Sequence, residues 1–184
     1  MKKSTLSGLA GALLLTSVLF VWFGVYNIAA TEEHWPLTTE LLEVVKERSI
    51  QVRSKAIVKP DTLPPEYLAK GAEDYAAMCA QCHLAPGNPP TELQRGLYPR
   101  PPVFHELEHE AHGPGENYWV IKNGIKLTGM PAWNAAHSDE EIWGLVAFIE
   151  QLPGMTADEY QQATASDGEM PGDHQSQSND HHGN

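Results

Sequence analysis

The chain is poor in cysteine, in positive charge and in anything that repeats. Cysteine occurs only at positions 79 and 82 of 184 residues, and a bridge between the two would close a loop too small to remove much unfolded-state entropy. No second cysteine pair exists to complete a four-ligand zinc site. Lys and Arg number 12 against 24 Asp and Glu, a net charge of -12 that argues against nucleic-acid binding and against adhesion to anionic lipid. The deficit lies beyond residue 60, where five basic residues face nineteen acidic ones. An acidic domain of that kind favours a docking partner with a basic patch, or serves solubility alone. Strand signals are few and no internal repeat is visible.

What is present begins with a long apolar run. Residues 4–31, which include "LLLTSVLFVWFGVYNIAA", are 28 residues without a formal charge, longer than the ~20 apolar residues that cross a bilayer as a helix. Lys2 and Lys3 precede the run and Glu32 and Glu33 follow it, which leaves the N-terminus in the cytoplasm and sends the remainder across. Residues 1–30 therefore read as an uncleaved transmembrane anchor, with a cleaved secretory signal as the alternative. Residues 31–64 read as a stalk. "WPLTTELLEVVKERS" has Leu37, Leu41, Val44 and Val45 at helical spacing, and "IQVRSKAIVKP" after it reads as an extended connector. The apolar face of that stalk either packs on the domain or meets a partner in the membrane.

Residues 65–160 form the domain proper. Pro65 opens a helix-forming stretch that leads into the cysteines. Six prolines between Pro86 and Pro102 exclude long regular elements there, so that segment is a loop with enough apolar side chains to cover something. "GENYWVIKNGI" reads as a short helix closed by Gly124, and Ser138 with Glu141 forms a capping box ahead of the stripe Ile142, Leu145, Val146 and Ile149. Residues 161–184 have the composition of a disordered acidic tail. The domain is thus all-α, three or four helices joined by long loops, and a protein core that thin needs something else to fill its middle.

The stretch "EDYAAMCAQCHLAPG" answers that need. A thioredoxin-like pair would follow a strand, and here a helix leads in. Covalent haem attachment needs this arrangement: Cys79 and Cys82 spaced to reach two vinyl groups, and the His83 imidazole beside them to meet the iron. A single attachment motif sets the count at one haem c.

The chain resembles the class I c-type cytochromes over residues 65–152, on "GAEDYAAMCAQCH", "TGMPAW" and "SDEEIWGLVAFI" in that order. The resemblance implies a small cytochrome c-like helical domain around one covalent haem. It also implies that Gly71 and Tyr75 on the first helix pack against an aromatic on the last, Trp143 or Phe148. Met130 stands where the family carries its axial methionine, in an irregular loop that Gly129 and Pro131 suit to a close approach to the ring. His105, His109, His112 and His137 are the other candidate ligands, and Arg100 and Trp133 are candidates to meet the haem propionates. The His83 imidazole should donate its other N–H to a carbonyl of the proline loop.

With protein on both axial positions the chemistry left to the iron is one-electron transfer. The apolar run with its flanking charges, taken with the bacterial type that the resemblance suggests, reads as a single-pass protein of a bacterial inner membrane with its domain in the periplasm. Its partners would be redox proteins: a quinol-oxidising complex or periplasmic dehydrogenase as donor, and a terminal oxidase or periplasmic reductase as acceptor. Three alternatives stay open. The chain is a fixed haem subunit of an oxidase or dehydrogenase, a copper-handling factor using Met155, Met170, His174, His181 and His182, or an enzyme whose labile Met130 lets the iron bind a gas or peroxide.

Overall fold

A computed structural model describes residues 2–106 and 112–165, all of whose regular elements are helices. His109, Met170, His174, His181 and His182, and with them most of the expected tail, lie outside the described residues.

Helix α1, Lys2–Trp22, is apolar on every side and its described side chains lie in the open; Thr5–Trp22 is long and apolar enough to cross a membrane. The helix stops sooner than the apolar run does, at a turn where Gly24 takes φ 58°. Aromatic side chains then fold the chain back on itself. Trp35 meets the ring edges of Phe20 at 6.0 Å and Tyr26 at 5.0 Å. The Tyr26 hydroxyl bonds His34 Nδ1 at 2.7 Å, and the His34 amide donates to the Tyr98 hydroxyl at 3.0 Å, so the exit from α1 is tied to the proline loop.

Helix α2, Pro36–Ser54, starts on a proline whose missing N–H costs nothing there. It runs on through Ser54, where the sequence pattern predicted an extended connector from Ile50. The reason is tertiary: Ile50 and Ser54 are buried against the domain on the side of α6, Pro114–Asn123. The opposite face, with Leu37 and Leu41, is exposed.

Helix α3, Pro65–Asp74, crosses helix α7, Asp139–Ile149, at the centre of the domain. Two glycines permit the crossing. A Cβ on Gly71 would collide with the Gly144 carbonyl, and one on Gly144 with the Tyr67 carbonyl. Backbone-to-backbone contact brings Tyr75, Ile142, Leu145, Val146 and Phe148 into one cluster at 0–1 % exposure, each contributing about 1.5–3 kcal/mol by burial. The aromatic that meets Tyr75 is Phe148, edge to face at 5.5 Å; Trp143 stacks instead on Tyr118 of α6 at 4.4 Å. Helix α7 begins at the expected capping box, with Ser138 Oγ accepting from the Glu141 amide and Glu141 Oε2 accepting from the Ser138 amide. A last helix, α8 (Ala157–Thr164), is capped in the same way by Thr156 and Glu159, and buries Tyr160 against Tyr75 and Phe148.

Candidate functional site

From α3 the chain passes through a π-helical turn, Tyr75–Cys79, into a four-residue helix α4, Ala80–His83. A π turn inserts one extra residue per turn and re-aims the side chains that follow it. Cys79 is half-buried and packs against the core cluster, and Cys82 is half-buried beside it; both are free thiols. Burial, helped by the charges of Asp74 and Cys82, pushes the Cys79 thiol up to about 12, and burial raises Cys82 as well. Both therefore stay protonated near neutrality. The turn ends at Leu84, which takes φ 61°, and the buried Tyr75 hydroxyl holds it by donating to the Leu84 carbonyl at 2.7 Å. Burial lifts that phenol far above its ordinary range, so it donates at any ordinary pH.

His83 Nδ1 lies 2.8 Å from the carbonyl oxygen of Pro102. A carbonyl only accepts, so Nδ1 carries the proton, and in the neutral ring Nε2 is the atom with the ligand lone pair. The ring is further fixed by stacking on Phe104, centroids 4.5 Å apart and planes 14° apart. The carbonyl expected in the proline loop is thus that of Pro102. Nothing in the sequence marks it, because every residue carries a carbonyl.

Met130 sits at the end of a loop closed by its own hydrogen bonds. The Ile125 amide donates to the Met130 carbonyl at 3.1 Å, while Thr128 Oγ1 donates to the Ile125 carbonyl at 2.8 Å and accepts from the Met130 amide at 3.1 Å. Gly124, at φ 66°, starts the loop; a Cβ there would lie 2.7–2.9 Å from the backbone of residues 130–132. Leu127 at the tip takes φ 64° with its side chain 85 % exposed, a conformation that costs an ordinary residue about 1–2 kcal/mol. The loop touches the proline loop, since a Cβ on Gly129 would meet Leu97 Cδ2 at 2.6 Å. Helix α5, Glu92–Gly96, capped by Thr91 Oγ1 on the Gln94 amide, stiffens the other side of that contact.

Cys79, Met130, Phe104 and Trp133 all pack against the same buried cluster, and His83 joins them through Phe104. The donor set fits a covalent haem: two reduced thiols one helical turn apart, an imidazole with its tautomer fixed, and a thioether on a braced loop. The other histidines have other surroundings. His112 lies 3.3 Å from Glu116 at the start of α6. His137 Nδ1 lies 3.7 Å from Asp74 Oδ2, neither atom hydrogen-bonded among the described residues, and Asp74 also pairs with Lys70. His105 Nδ1 is buried without a hydrogen-bond partner among the described residues. No group of three or more His, Cys, Asp or Glu among the described residues could hold a metal ion. Arg100 is exposed, and Trp133 packs on the core with its amide donating to the Ile121 carbonyl at 3.1 Å.

Residues 66–149 match the protein family described as "Cytochrome C oxidase, cbb3-type, subunit III". The chain therefore contains a class I c-type cytochrome domain, with covalently bound haem c as its cofactor. Domains of this class carry electrons between redox proteins. Among solved structures, a chain of the Kuenenia stuttgartiensis reducing HAO-like protein complex is similar, with 20 % identity and a TM-score of 0.44 over 51 % of this chain and 47 % of that one. The alignment thus spans about half of that neighbour. No curated protein matches the chain.

Proposed function

We propose that Cys79 and Cys82 carry the thioether bonds to a single haem c, that His83 Nε2 and the Met130 sulfur are its axial ligands, and that the chain passes single electrons between respiratory proteins at a membrane. The observation that supports this reading is the contact of His83 Nδ1 with the Pro102 carbonyl, which leaves the ring's lone pair on Nε2, the atom that ligation needs. Bound haem c supplies a reversible one-electron couple. The chain's own residues set its surroundings. Pro102 keeps the imidazole proton at Nδ1, Thr128 braces the loop that ends in Met130, and the cluster around Tyr75 and Phe148 keeps water from one side. Helix α1 holds the chain in a bacterial inner membrane with the domain in the periplasm. Electrons arrive from a quinol-oxidising complex or a dehydrogenase and leave to a terminal oxidase or a reductase.

A second reading, a fixed haem subunit of an oxidase or dehydrogenase, is favoured by the matched family, described as that of an oxidase subunit, and by the exposed apolar faces of α1 and α2.

The test is a spectrally monitored redox titration of the full chain, made with haem-maturation machinery and purified from membranes in a mild detergent. The expected result is one low-spin transition at positive potential, with a sulfur-to-iron charge-transfer band that disappears in Met130→Ala. A band that survives in Met130→Ala refutes Met130 as ligand, and a low-spin spectrum that survives in His83→Ala refutes His83. Stoichiometric co-purification of an oxidase or dehydrogenase would select the subunit reading; a chain recovered alone would select the shuttle.

A further inference from the structure

A cavity of about 510 Å³ lies between α2 and the domain, within the range typical of small-molecule sites. Three segments wall it: one face of α2 from Thr39 to Arg53, Tyr98 and Pro99 of the proline loop, and Ile125 to Thr128 of the methionine loop, with Trp119 and Asn123 of α6 behind them. Both loops that carry the proposed ligand geometry thus border it, one just before Pro102 and the other just before Met130. Its lining is mostly apolar, but Lys46, Arg53 and Lys126 face it.

The balance of charge around this space is anomalous. In a chain of net charge -12, three cations face one carboxylate here, Glu43, which Lys46 already holds at 2.5 Å. Among the described residues Arg53 donates to the Ser49 carbonyl and hydroxyl alone, at 3.2 and 2.9 Å, and neither it nor Lys126 has an ion-pair partner there. His34 and Tyr98 are the other titratable groups on the wall, and the Tyr98 hydroxyl, which accepts from the His34 amide, keeps its own proton to donate. Arg53 and Lys126 are exposed at the mouth of this cavity, where their charges are free to meet an anion that enters it. A haem carries two carboxylates on one edge, and the loops that border this space are those that would grip its ring.

We infer that α2 is part of the haem site and that Arg53 and Lys126 bind the propionate edge of the haem in this cavity. The inference rests on the attachment reading above. It changes the role of residues 36–54, which lie outside the matched family segment, from spacer to wall of the cofactor pocket. It also moves the propionate contacts from the expected Arg100 and Trp133 to Arg53, on a helix whose sequence reads as a stalk, and to Lys126 of the methionine loop.

The experiment measures midpoint potential against pH for the full-length holoprotein in a non-ionic detergent, comparing wild type, Arg53→Gln, Lys126→Gln, the double variant and Arg53→Lys. Resonance Raman spectra report the propionate bending bands of the same samples. With both cations present the propionates stay ionised, so the wild-type potential should be level between about pH 5 and 8. Without them a propionate takes up a proton in the reduced protein, so the potential of the double variant should fall as pH rises through that range, with shifted propionate bands. Arg53→Lys keeps the charge and should restore the level profile. Superimposable profiles and bands in haem-loaded wild type and double variant would overturn the inference alone. A wild-type protein without haem would overturn the attachment reading and this one with it. Lys126→Gln alters only an exposed loop side chain and should show the smaller effect even if the Arg53 variants fold poorly; its absence would also count against the inference.

Discussion

The α3–α7 crossing and the two loops beside it are built on different principles. At the crossing, backbone meets backbone over two glycines and the contact is sealed by fully buried side chains, so there is no slack to lose. In the loops, a handful of single hydrogen bonds fix positions: Pro102 on His83, Thr128 between Ile125 and Met130, Tyr75 on Leu84. The crossing sets whether the chain folds; the loops set what the fold can hold. Damage to the first should be global, and damage to the second local.

The largest effect should come from Gly144→Ala. Its Cβ would run into the Tyr67 backbone, which cannot give way as a side chain can, so the loss should reach at least about 3 kcal/mol, the top of the usual overpacking range. Thermal unfolding and the yield of holoprotein would show it; a variant as stable as wild type would mean the helices cross differently. Phe148→Ala comes next, with a cavity beside Tyr75 and Tyr160 and a cost of about 3–5 kcal/mol if the site stays open, less if α8 settles into it. Both should lower stability without changing the spectrum of the protein that does fold.

Thr128→Ala sharpens the contrast from the other side. It removes two loop hydrogen bonds at a net cost of about 1 kcal/mol each at most, so the melting temperature should move little. The sulfur-to-iron band should weaken or become pH-sensitive, and an unchanged band with lowered stability would reverse the comparison. The smallest effect belongs to Ser138→Ala, about 1 kcal/mol from the lost cap of α7. Hydrogen bonds from Ser138, the backbone one first, hold the Glu141 carboxyl below its ordinary 4.5. Because the folded value is depressed, this contribution is complete above about pH 4.5 and is lost as pH falls through the lowered value. Ser138→Ala keeps the backbone N–H that supplies most of this shift, so acid denaturation should show wild type and variant losing this contribution over nearly the same pH range, with the variant lower throughout.

The same division explains what could be read from the residues. The α7 capping box, the stop at Gly124 and the glycine at position 71 are local or pairwise signals, and the structure has each of them in place. The proposed attachment motif is equally visible in the sequence, because its spacing is chemical rather than conformational. What escaped were contacts made by atoms that every residue has, such as the Pro102 carbonyl, and contacts made across long sequence separations. Residues Ile50 to Ser54 look like a connector until α6 is beside them, and Trp143 looks as fit as Phe148 to meet Tyr75 until Tyr118 takes it. The π turn at Tyr75–Cys79 has no sequence mark at all.

The bond between the His34 amide and the Tyr98 hydroxyl, 64 residues apart, has a consequence for how partners find this protein. A domain on a flexible tether must search over orientation as well as position before its reactive edge faces a partner. Here the chain leaving α1 is clasped to the domain by Tyr26, His34, Trp35 and Tyr98, so a bilayer around α1 would fix height and tilt together. Encounter then becomes a search in two dimensions with the rotation already settled, and selection among partners passes from affinity to reach: only a protein whose electron port stands at the matching height can take part.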